Sequence, residues 1–258
     1  MNRQRTIWWV LSALVIVVTA SVTVSGLVTG ILQERHTQTD TYTAAAIKSV
    51  ELTTGSASVR VVPASGGDAT VTQTMRWIFS RPTITERLDP VTGTLHVDAG
   101  CEGGTILGHC DVQLTVAVPA GVPINADGGS GTVDISGMTG PITAQGGSGE
   151  IDLEHVSGTL DVQVGSGQIV GTSLRSQQVT AKAGSGQVEL DFALPPASVT
   201  ADVSSGQTSI TLPRGQQYRV SSSVASGVSN VEGGLASSSA SSTVNVSVTS
   251  GEAEVSYR

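Results

Sequence analysis

Aromatic and charged side chains are scarce in this chain of 258 residues. Phe, Trp and Tyr make up 3 % of it and charged residues 13 %, whereas Gly, Ser, Thr, Ala and Val dominate. A core without aromatic rings must be thin and built from small branched side chains, which favours β-structure. The chain is nevertheless too apolar and too regularly alternating to be disordered.

Basic residues are also few. Thirteen Lys and Arg stand against 21 Asp and Glu, which gives a formal net charge of −8. Arg3 and Arg5 precede a long apolar segment, so residues 33–258 hold 11 basic and 21 acidic side chains, or −10. Such a domain lacks the basic footprint that nucleic acid or anionic lipid headgroups require. We therefore expect no nucleic-acid partner.

Signatures of catalysis and cofactor binding are missing from the sequence. It has no nucleophile elbow, phosphate loop, dinucleotide fingerprint or His-Glu-x-x-His motif. The four histidines are scattered and form no triad or metal constellation in sequence. We predict no catalytic residue, no cofactor and no metal ligand, and so no enzymatic activity. The histidines are His36, His96, His109 and His155.

Cys101 and Cys110 are the only two cysteines. In an exported domain a disulfide is the default state of such a pair. His96 and His109 lie nearby, which raises a zinc site as the alternative. Their spacing from the cysteines fits no standard zinc pattern, and oxidising surroundings disfavour thiolate ligands. We predict a Cys101–Cys110 disulfide.

Residues 7–32 form an apolar run of 26 residues without a charge. A membrane-spanning helix needs about 20 such residues, whereas the apolar region of a cleaved signal peptide, the alternative, usually has about 7–15. Arg3 and Arg5 before the run place residues 1–6 in the cytoplasm. We predict a single-pass cell-membrane protein with a linker at 33–46 and an extracellular domain at 47–258.

The segment 124–258 repeats one phrase, in which apolar and polar residues alternate around a Ser-Gly pair. Successive phrases start 18, 18, 19, 20, 21 and 24 residues apart. Self-similarity at this period indicates a solenoid. The phrases start at Ile124, Ile142, Leu160, Val179, Val199, Val220 and Val244. The pairs are Ser130-Gly131, Ser148-Gly149, Ser166-Gly167, Ser185-Gly186, Ser205-Gly206, Ser226-Gly227 and Ser250-Gly251.

Each repeat reads as two short strands joined by a corner. The period-two alternation is that of a strand, and Gly tolerates the positive φ of a tight corner. Stacked repeats would form two parallel sheets around a thin aliphatic core. We predict an all-β fold, a parallel two-sheet β-solenoid of seven or eight rungs. Residues 50–62 read as an early rung.

An insertion at residues 63–119 separates that early rung from the repeats. Its strand candidates are 69–77, 93–99 and 111–119, which would form a β-hairpin region. Trp77, Ile78 and Phe79 are predicted to cover the open end of the solenoid. Residues 233–243 read as a flexible polar loop projecting from the stack.

Two features of the repeats invite a functional interpretation. The corner Gly128-Gly129-Ser130-Gly131 resembles a calcium-binding β-roll turn, but Asp134 falls one residue late and so on the other face of the strand. Paired outward carboxylates would suggest a glycan-cleaving enzyme, yet no cleft, aromatic platform or basic partner accompanies them. We interpret them as a solvated acidic face. They are Asp134, Glu150, Asp152, Glu189, Glu252 and Glu254.

The Ser-Gly corners, the Val118-Pro119-Ala120-Gly121-Val122 entry and the Leu212-Pro213 step ahead of Tyr218 resemble a known bacterial family. It is the adhesin-type β-strand repeat family DUF4097, a domain of unknown function common in Gram-positive envelope proteins. The resemblance covers about residues 47–258. It implies a β-solenoid on the cell surface and carries over no functional residue.

We expect a non-enzymatic binding, adhesion or structural module at the bacterial cell envelope, in contact with a cell-wall polymer or an envelope protein. The alternative is the ectodomain of an envelope-stress sensing complex that acts through a membrane partner. Gly26 and Gly30 would offer that partner a small-residue face. A glycan-active enzyme is the third hypothesis.

Overall fold

The computed structural model describes Val15, Thr19 and residues 34–77, 81–100 and 110–258. These residues form sixteen strands, which all belong to one sheet, and one 3-10 turn at Ala44–Ala46. The strands are β1 (Glu34–Thr43), β2 (Ser49–Thr54), β3 (Ser58–Pro63), β4 (Asp68–Trp77), β5 (Thr83–Leu88), β6 (Thr94–Gly100), β7 (Cys110–Val118), β8 (Ile124–Gly128), β9 (Thr132–Ser136), β10 (Ile142–Gly146), β11 (Glu150–Glu154), β12 (Leu160–Leu174), β13 (Gln178–Phe192), β14 (Ser198–Leu212), β15 (Arg219–Val231) and β16 (Thr243–Tyr257).

The repeats stack in parallel with equivalent positions in register. Ile142 pairs with Ile124 on one side and with Leu160 on the other, so each repeat lies directly on its neighbour. The early repeats consist of two short strands around a corner. From β12 onward a single strand of 13 or 15 residues runs through the corner. The predicted all-β, solenoid-like architecture is confirmed, but in place of the two parallel sheets that were predicted the strands form one mixed sheet.

The core is the thin aliphatic layer that the alternation predicts. The first inward residues of the five repeats from Ile124 to Val199 are buried, with at most 3 % exposure. Burying one such side chain contributes about 1.5–3 kcal/mol, so the stacked rows are the main source of stability. The wider rungs also bury two rings, those of Phe192 and Tyr218.

The predicted insertion adds a level to the stack. β6 pairs in parallel with β2, and β7 pairs in parallel with β3, so these strands form a rung outside the early one. The described residues thus form nine levels where seven or eight were predicted. β6 and β7 were not counted as a level because they also pair antiparallel with β5 and β4, and the sequence was therefore interpreted as hairpins. In space the levels are β6/β7, β2/β3, β8/β9, β10/β11, β12, β13, β14, β16 and β15.

Part of the predicted linker is a strand. β1 pairs antiparallel with β4 over all ten residues, from Glu34 opposite Trp77 to Thr43 opposite Asp68. Its polar residues misled the prediction, because an edge strand needs no continuous apolar face and its Thr side chains suit a strand. Among the described residues the sheet therefore begins at Glu34, two residues after the predicted membrane segment.

Most of the predicted membrane segment 7–32 lies outside the described residues. Val15 and Thr19 are helical, and the Thr19 Oγ1 donates a hydrogen bond to the Val15 carbonyl oxygen at 2.8 Å. Among the described residues, no helix has the length and apolar character needed to cross a membrane.

A buried polar cluster closes the β1 end of the stack. Gln73 is 5 % exposed and donates to Glu86 Oε1 at 2.6 Å, and the Tyr42 hydroxyl donates to Glu86 Oε2 at 2.9 Å. Glu86 thereby joins β5 on one side to β1 and β4 on the other. Trp77 packs against the core edge under Arg81, whose guanidinium lies 5.6 Å from the ring centre. Ile78 and Phe79 of the predicted cap lie outside the described residues.

The last two repeats exchange places. β16 lies between β14 and β15, so the last repeat in sequence is the second-last in space. The segment 233–243 lets the chain return past β15, and it is not the projecting flexible loop that was predicted. Leu235 is fully buried, and its carbonyl accepts a hydrogen bond from the Tyr218 backbone N–H. One apolar residue in a Ser-rich segment is enough to pin it to the core.

Candidate functional site

An open groove of about 600 Å³ runs across the Ser-Gly corners of five consecutive levels. Its floor is a row of glycines, and its wall is the row of residues that follows each glycine. The glycines are Gly131, Gly149, Gly167, Gly186 and Gly206, and the wall residues are Thr132, Glu150, Gln168, Gln187 and Gln207. We call this the corner groove.

The glycines are required because the rungs approach one another closely at the corner. A Cβ on Gly149 would overlap the carbonyl oxygen of Gly131 on the preceding level. From β13 onward the corner also adopts positive φ, with 142° at Gly186. The sequence predicted glycine for positive φ alone, whereas close stacking is the reason in the first corners. The groove exists because this row carries no side chains.

Three glutamines form the centre of the groove wall. Gln168 pairs in register with Gln187, which pairs with Gln207, so their side chains line up along the stack. Their amides make no hydrogen bond within the described part of the chain. Each amide offers both donors and an acceptor. The ladder can therefore bind hydroxyl or amide groups of an extended ligand.

Carboxylates bound the glutamine ladder at both ends. Glu150 precedes Gln168 in the row, and Glu252 follows Gln207. These carboxylates would repel a polyanion lying along the ladder, whereas they would not repel a neutral or cationic chain. This arrangement selects against anionic polymers.

The predicted acidic face is interrupted by residues of other types. Asp134 binds Arg60, with 2.8 Å between Oδ2 and Nη2. Asp152 lies next to Asp134 in the register, but Val170 then separates it from Glu189. The first two carboxylates of this row are therefore neighbours, whereas Val170 and then Ser209 separate the later ones, Glu189 and Glu254.

The pKa of the Asp152 carboxyl, on this face, is raised well above its ordinary value. Partial burial raises the pKa of its carboxyl from 3.8 to about 6, with further contributions from the nearby charges of Glu150 and Asp134. The cause is desolvation of the charged form together with like-charge repulsion. Near pH 6 this carboxyl is half protonated, with the carboxyls of Glu150 and Asp134 close to it.

The remaining candidate residues that the structure describes do not converge, and Cys101 and His109 lie outside the described residues. His96 Nδ1 lies 2.9 Å from Glu51 Oε2 across β6 and β2, and His155 Nδ1 lies 3.2 Å from its neighbour Glu154. Within residues 34–77, 81–100 and 110–258, no group of three His, Cys, Asp or Glu could hold a metal ion. Cys110 begins β7, while Cys101 lies outside the described residues, so their disulfide stays a prediction.

The glutamine ladder was missed in the sequence, although its signal is present. Gln168, Gln187 and Gln207 each follow a Ser-Gly pair directly. A search for charged or catalytic residue types passes over them, because a glutamine amide is uncharged and is rarely catalytic. Aligning the repeats on Ser-Gly would have shown that one polar residue type recurs at one outward position.

A protein-family model described as Toastrack DUF4097 matches residues 23–258. The chain belongs to this family. The match confirms the resemblance seen in the repeats and extends it to the N-terminal side of β1. No curated protein matches this Toastrack chain.

Solved structures with a similar fold are distant in sequence. A "putative cell adhesion protein" from Clostridium sporogenes is 10 % identical, with 87 % of this chain and 100 % of that chain covered and a TM-score of 0.42. A "putative adhesin" from Bacteroides fragilis is 14 % identical, with 86 % and 97 % covered and a TM-score of 0.46. At this level of similarity neither protein identifies a ligand for the Toastrack chain.

Proposed function

We propose that this protein is a non-enzymatic binding module of the bacterial cell envelope, and that it holds an extended neutral polymer in the corner groove. The observation that carries the proposal is the unbroken row of Gln168, Gln187 and Gln207 above a floor of glycines. The groove crosses five levels at constant register, so it suits a ligand that itself repeats.

The chemistry of the groove points to a chain rich in hydroxyl and amide groups. Each free amide of the ladder is able to make hydrogen bonds that contribute about 0.5–1.5 kcal/mol apiece. Glu150 and Glu252 at the two ends oppose polyanions. The glycan strand of the cell wall has suitable groups and is neutral along its backbone, whereas anionic wall polymers do not fit this charge pattern.

Residues 7–32 would hold the module at the outer face of the cell membrane, with residues 1–6 in the cytoplasm. The apolar run and the preceding Arg3 and Arg5 support this placement. β1 begins at Glu34, so the domain would stand directly on its anchor. The β1 end of the stack would be the end nearest the membrane.

The test is sedimentation of the full chain, in detergent micelles, with isolated Gram-positive cell walls at low and moderate salt. The variant Gln168→Ala/Gln187→Ala/Gln207→Ala should lower the affinity about tenfold or more, because three amides are removed at once. Gln145→Ala/Gln163→Ala is the matched control, since these glutamines stack outside the groove.

Two outcomes of this experiment decide between ligands. Walls stripped of their anionic polymers should bind as well as intact walls, and moderate salt should not release the protein. Binding that disappears with the anionic polymers, or that survives loss of the three amides, would overturn the assignment of the groove.

The second candidate is a sensor ectodomain that acts through a membrane partner. The ten-residue pairing of β1 with β4 favours it, because a paired strand couples the domain to its anchor more stiffly than a flexible linker would. In this case Gly26→Leu/Gly30→Leu should abolish co-purification of a membrane protein with the full chain. A partner retained by this variant would contradict packing at the Gly26 and Gly30 face.

A further inference from the structure

The last level of the stack, β15, has an open edge. It pairs with β16 on one side and with no other strand of the described residues on its other side. Its inward Val220, Val224 and Val231 are only partly buried, because no further rung covers them. A row of backbone N–H and C=O groups along such an edge is able to pair with another strand.

β15 lacks the features that normally protect an edge strand. Between Val220 and Val231 it has no charged residue, no proline and no bulge. At the outward position where other levels place Glu150 or a glutamine, β15 has Val228, which is 60 % exposed. Charges and prolines at edges prevent unwanted pairing, so their absence here leaves the edge open to association.

The charge distribution of the chain favours a second copy as the occupant. The domain carries −10 in total, and its outward rows hold carboxylates on several levels, such as Glu189 and Glu254. Two copies that met through these faces would oppose like charges, which destabilises pairing. The part of the β15 edge from Val220 to Val231 carries no charge, so two copies can meet there without that repulsion.

The shape of β15 fits a two-fold arrangement. Ser226 and Gly227 form a corner that divides the strand into legs 219–225 and 228–231. A two-fold axis that bisects this corner sets each leg of one copy antiparallel to the other leg of its partner. Such an interface is isologous and closes as a dimer.

The opposite end of the stack does not offer a matching edge. β1 contains Glu34, Arg35, His36 and Asp40, and β5 contains Glu86 and Arg87. Head-to-tail stacking would place β15 against these charged strands. The association therefore ends at two copies and does not continue as a filament.

We propose that two copies of this chain associate end to end through β15, joining two solenoids into one continuous stack. The proposal is independent of any ligand in the corner groove. The dimer places the two β1 ends at opposite ends of the assembly, so with the membrane anchors proposed above it would join two chains held in facing membranes.

The oligomeric state of the full chain in detergent, measured by sedimentation velocity over a concentration series, tests the proposal. The wild-type chain should show a monomer–dimer equilibrium. Ala225→Lys/Val228→Lys brings positive charges together near the two-fold axis and should weaken the dimer about tenfold or more. Gln163→Lys/Gln187→Lys adds the same charge on inner levels and should leave the equilibrium unchanged.

Three results would overturn the proposal. They are a wild-type chain that stays monomeric, a dimer that persists in Ala225→Lys/Val228→Lys, and an open series of larger oligomers. A monomer would leave the edge to a strand of a different protein. A persistent dimer would place the contact elsewhere, for example in residues 7–32. Equal urea midpoints for variant and wild type show that the lysines have not unfolded the chain.

A crosslinking experiment gives an independent positive result. Ser226→Cys places a thiol at the corner of β15, close to the two-fold axis, and oxidation with diamide should join two copies through a disulfide. Ser185→Cys places a thiol at the equivalent corner of β13 and should not crosslink above background. Equal crosslinking of the two variants would contradict the two-fold contact.

Discussion

The two ends of the stack differ in how the outermost level is covered. At the β1 end, strands reverse direction, and the carboxyl of Glu86 joins the two sides through Tyr42 and Gln73. At the β15 end the parallel pattern simply stops, and the last inward positions change from apolar residues to serine. One end is closed by long-range contacts. The other keeps the parallel strand arrangement of the levels beneath it and leaves its outer edge unpaired among the described residues, so it is able to accept another strand.

The largest expected effect is a loss of stability on substitution of a corner glycine, and it should be greater at an inner level than at the end level. Gly186→Ala requires a side chain at φ 142° and overlaps the carbonyl oxygen of Gly167, so it should lower the free energy of unfolding by about 3–4 kcal/mol. Gly227→Ala meets the same conflict with Gly251 at φ 141°, but β15 has no level beyond it and can move outward. We expect about half the loss, measured by urea denaturation.

Equal losses for the two glycine variants would show that β15 is held as firmly as an inner level. In that case the end of the stack would not be looser than its middle. Gly233→Ala is the control, because no atom lies within 4 Å of its Cβ position and its φ is not positive. It should change the stability by less than about 0.5 kcal/mol.

Removing the carboxyl at the closed end should have the next largest effect. Glu86→Ala leaves the buried Gln73 amide and the Tyr42 hydroxyl without their acceptor, which should cost about 2–3 kcal/mol. Loss of amide hydrogen-exchange protection should appear first in β1, β4 and β5. Glu86→Gln, which keeps an acceptor oxygen, should recover part of the loss. Uniform loss of protection along the whole stack would contradict a local role in closing this end.

The middle of the molecule was predictable from sequence, and its ends were not. The sequence predicts the stacking because parallel rungs repeat the same local contacts at nearly constant spacing, as at Ile142, Leu160 and Val179. The ends depend on contacts between distant residues that share no pattern, such as Tyr42 with Glu86. The exchange of β15 and β16 is of the same kind, since the two repeats have the same phrase and only the path through Leu235 distinguishes their order.

The corner groove was partly predictable from the sequence. Its glycine floor follows from the repeat, and the residue after each glycine is visible in the sequence. What the sequence could not show is that Gln168, Gln187 and Gln207 remain free of internal hydrogen bonds. It also could not show that Asp134 binds Arg60, because the early rung lies beside β9 only if the insertion stacks on its other side.

A smaller, pH-dependent effect should arise at Asp152, on an inner level. Its pKa is about 6 in the folded chain against an ordinary 3.8, so the folded state binds more protons between these values. Stability contributed by this group is present at low pH and falls as pH rises from about 4 to about 6. Water screens the exposed part of the carboxyl, so we expect about 1 kcal/mol for this loss.

Asp152→Asn should be more stable than the wild type at pH 7 and equal to it near pH 4, measured by urea denaturation at both values. Glu189→Gln, in the same outward row, is the control and should show a smaller difference between the two pH values. An unchanged pH dependence in Asp152→Asn would show that the carboxyl is fully hydrated.

The smallest effect should come from the serines at the open end. Ser222 and Ser229 face each other across the last level, with 2.6 Å between their hydroxyl oxygens, where the level beneath has Val246 and Ala253. Ser222→Ala/Ser229→Ala removes donor and acceptor together, so no group is left unpaired and the stability should change by less than about 1 kcal/mol. The single Ser222→Ala, which strands the Ser229 hydroxyl beside exposed solvent, should differ little from the double variant. A loss of stability in Ser222→Ala/Ser229→Ala as large as that in Glu86→Ala would show that the β15 end is a closed cap held by its own polar contact. The contrast between the two ends would then disappear.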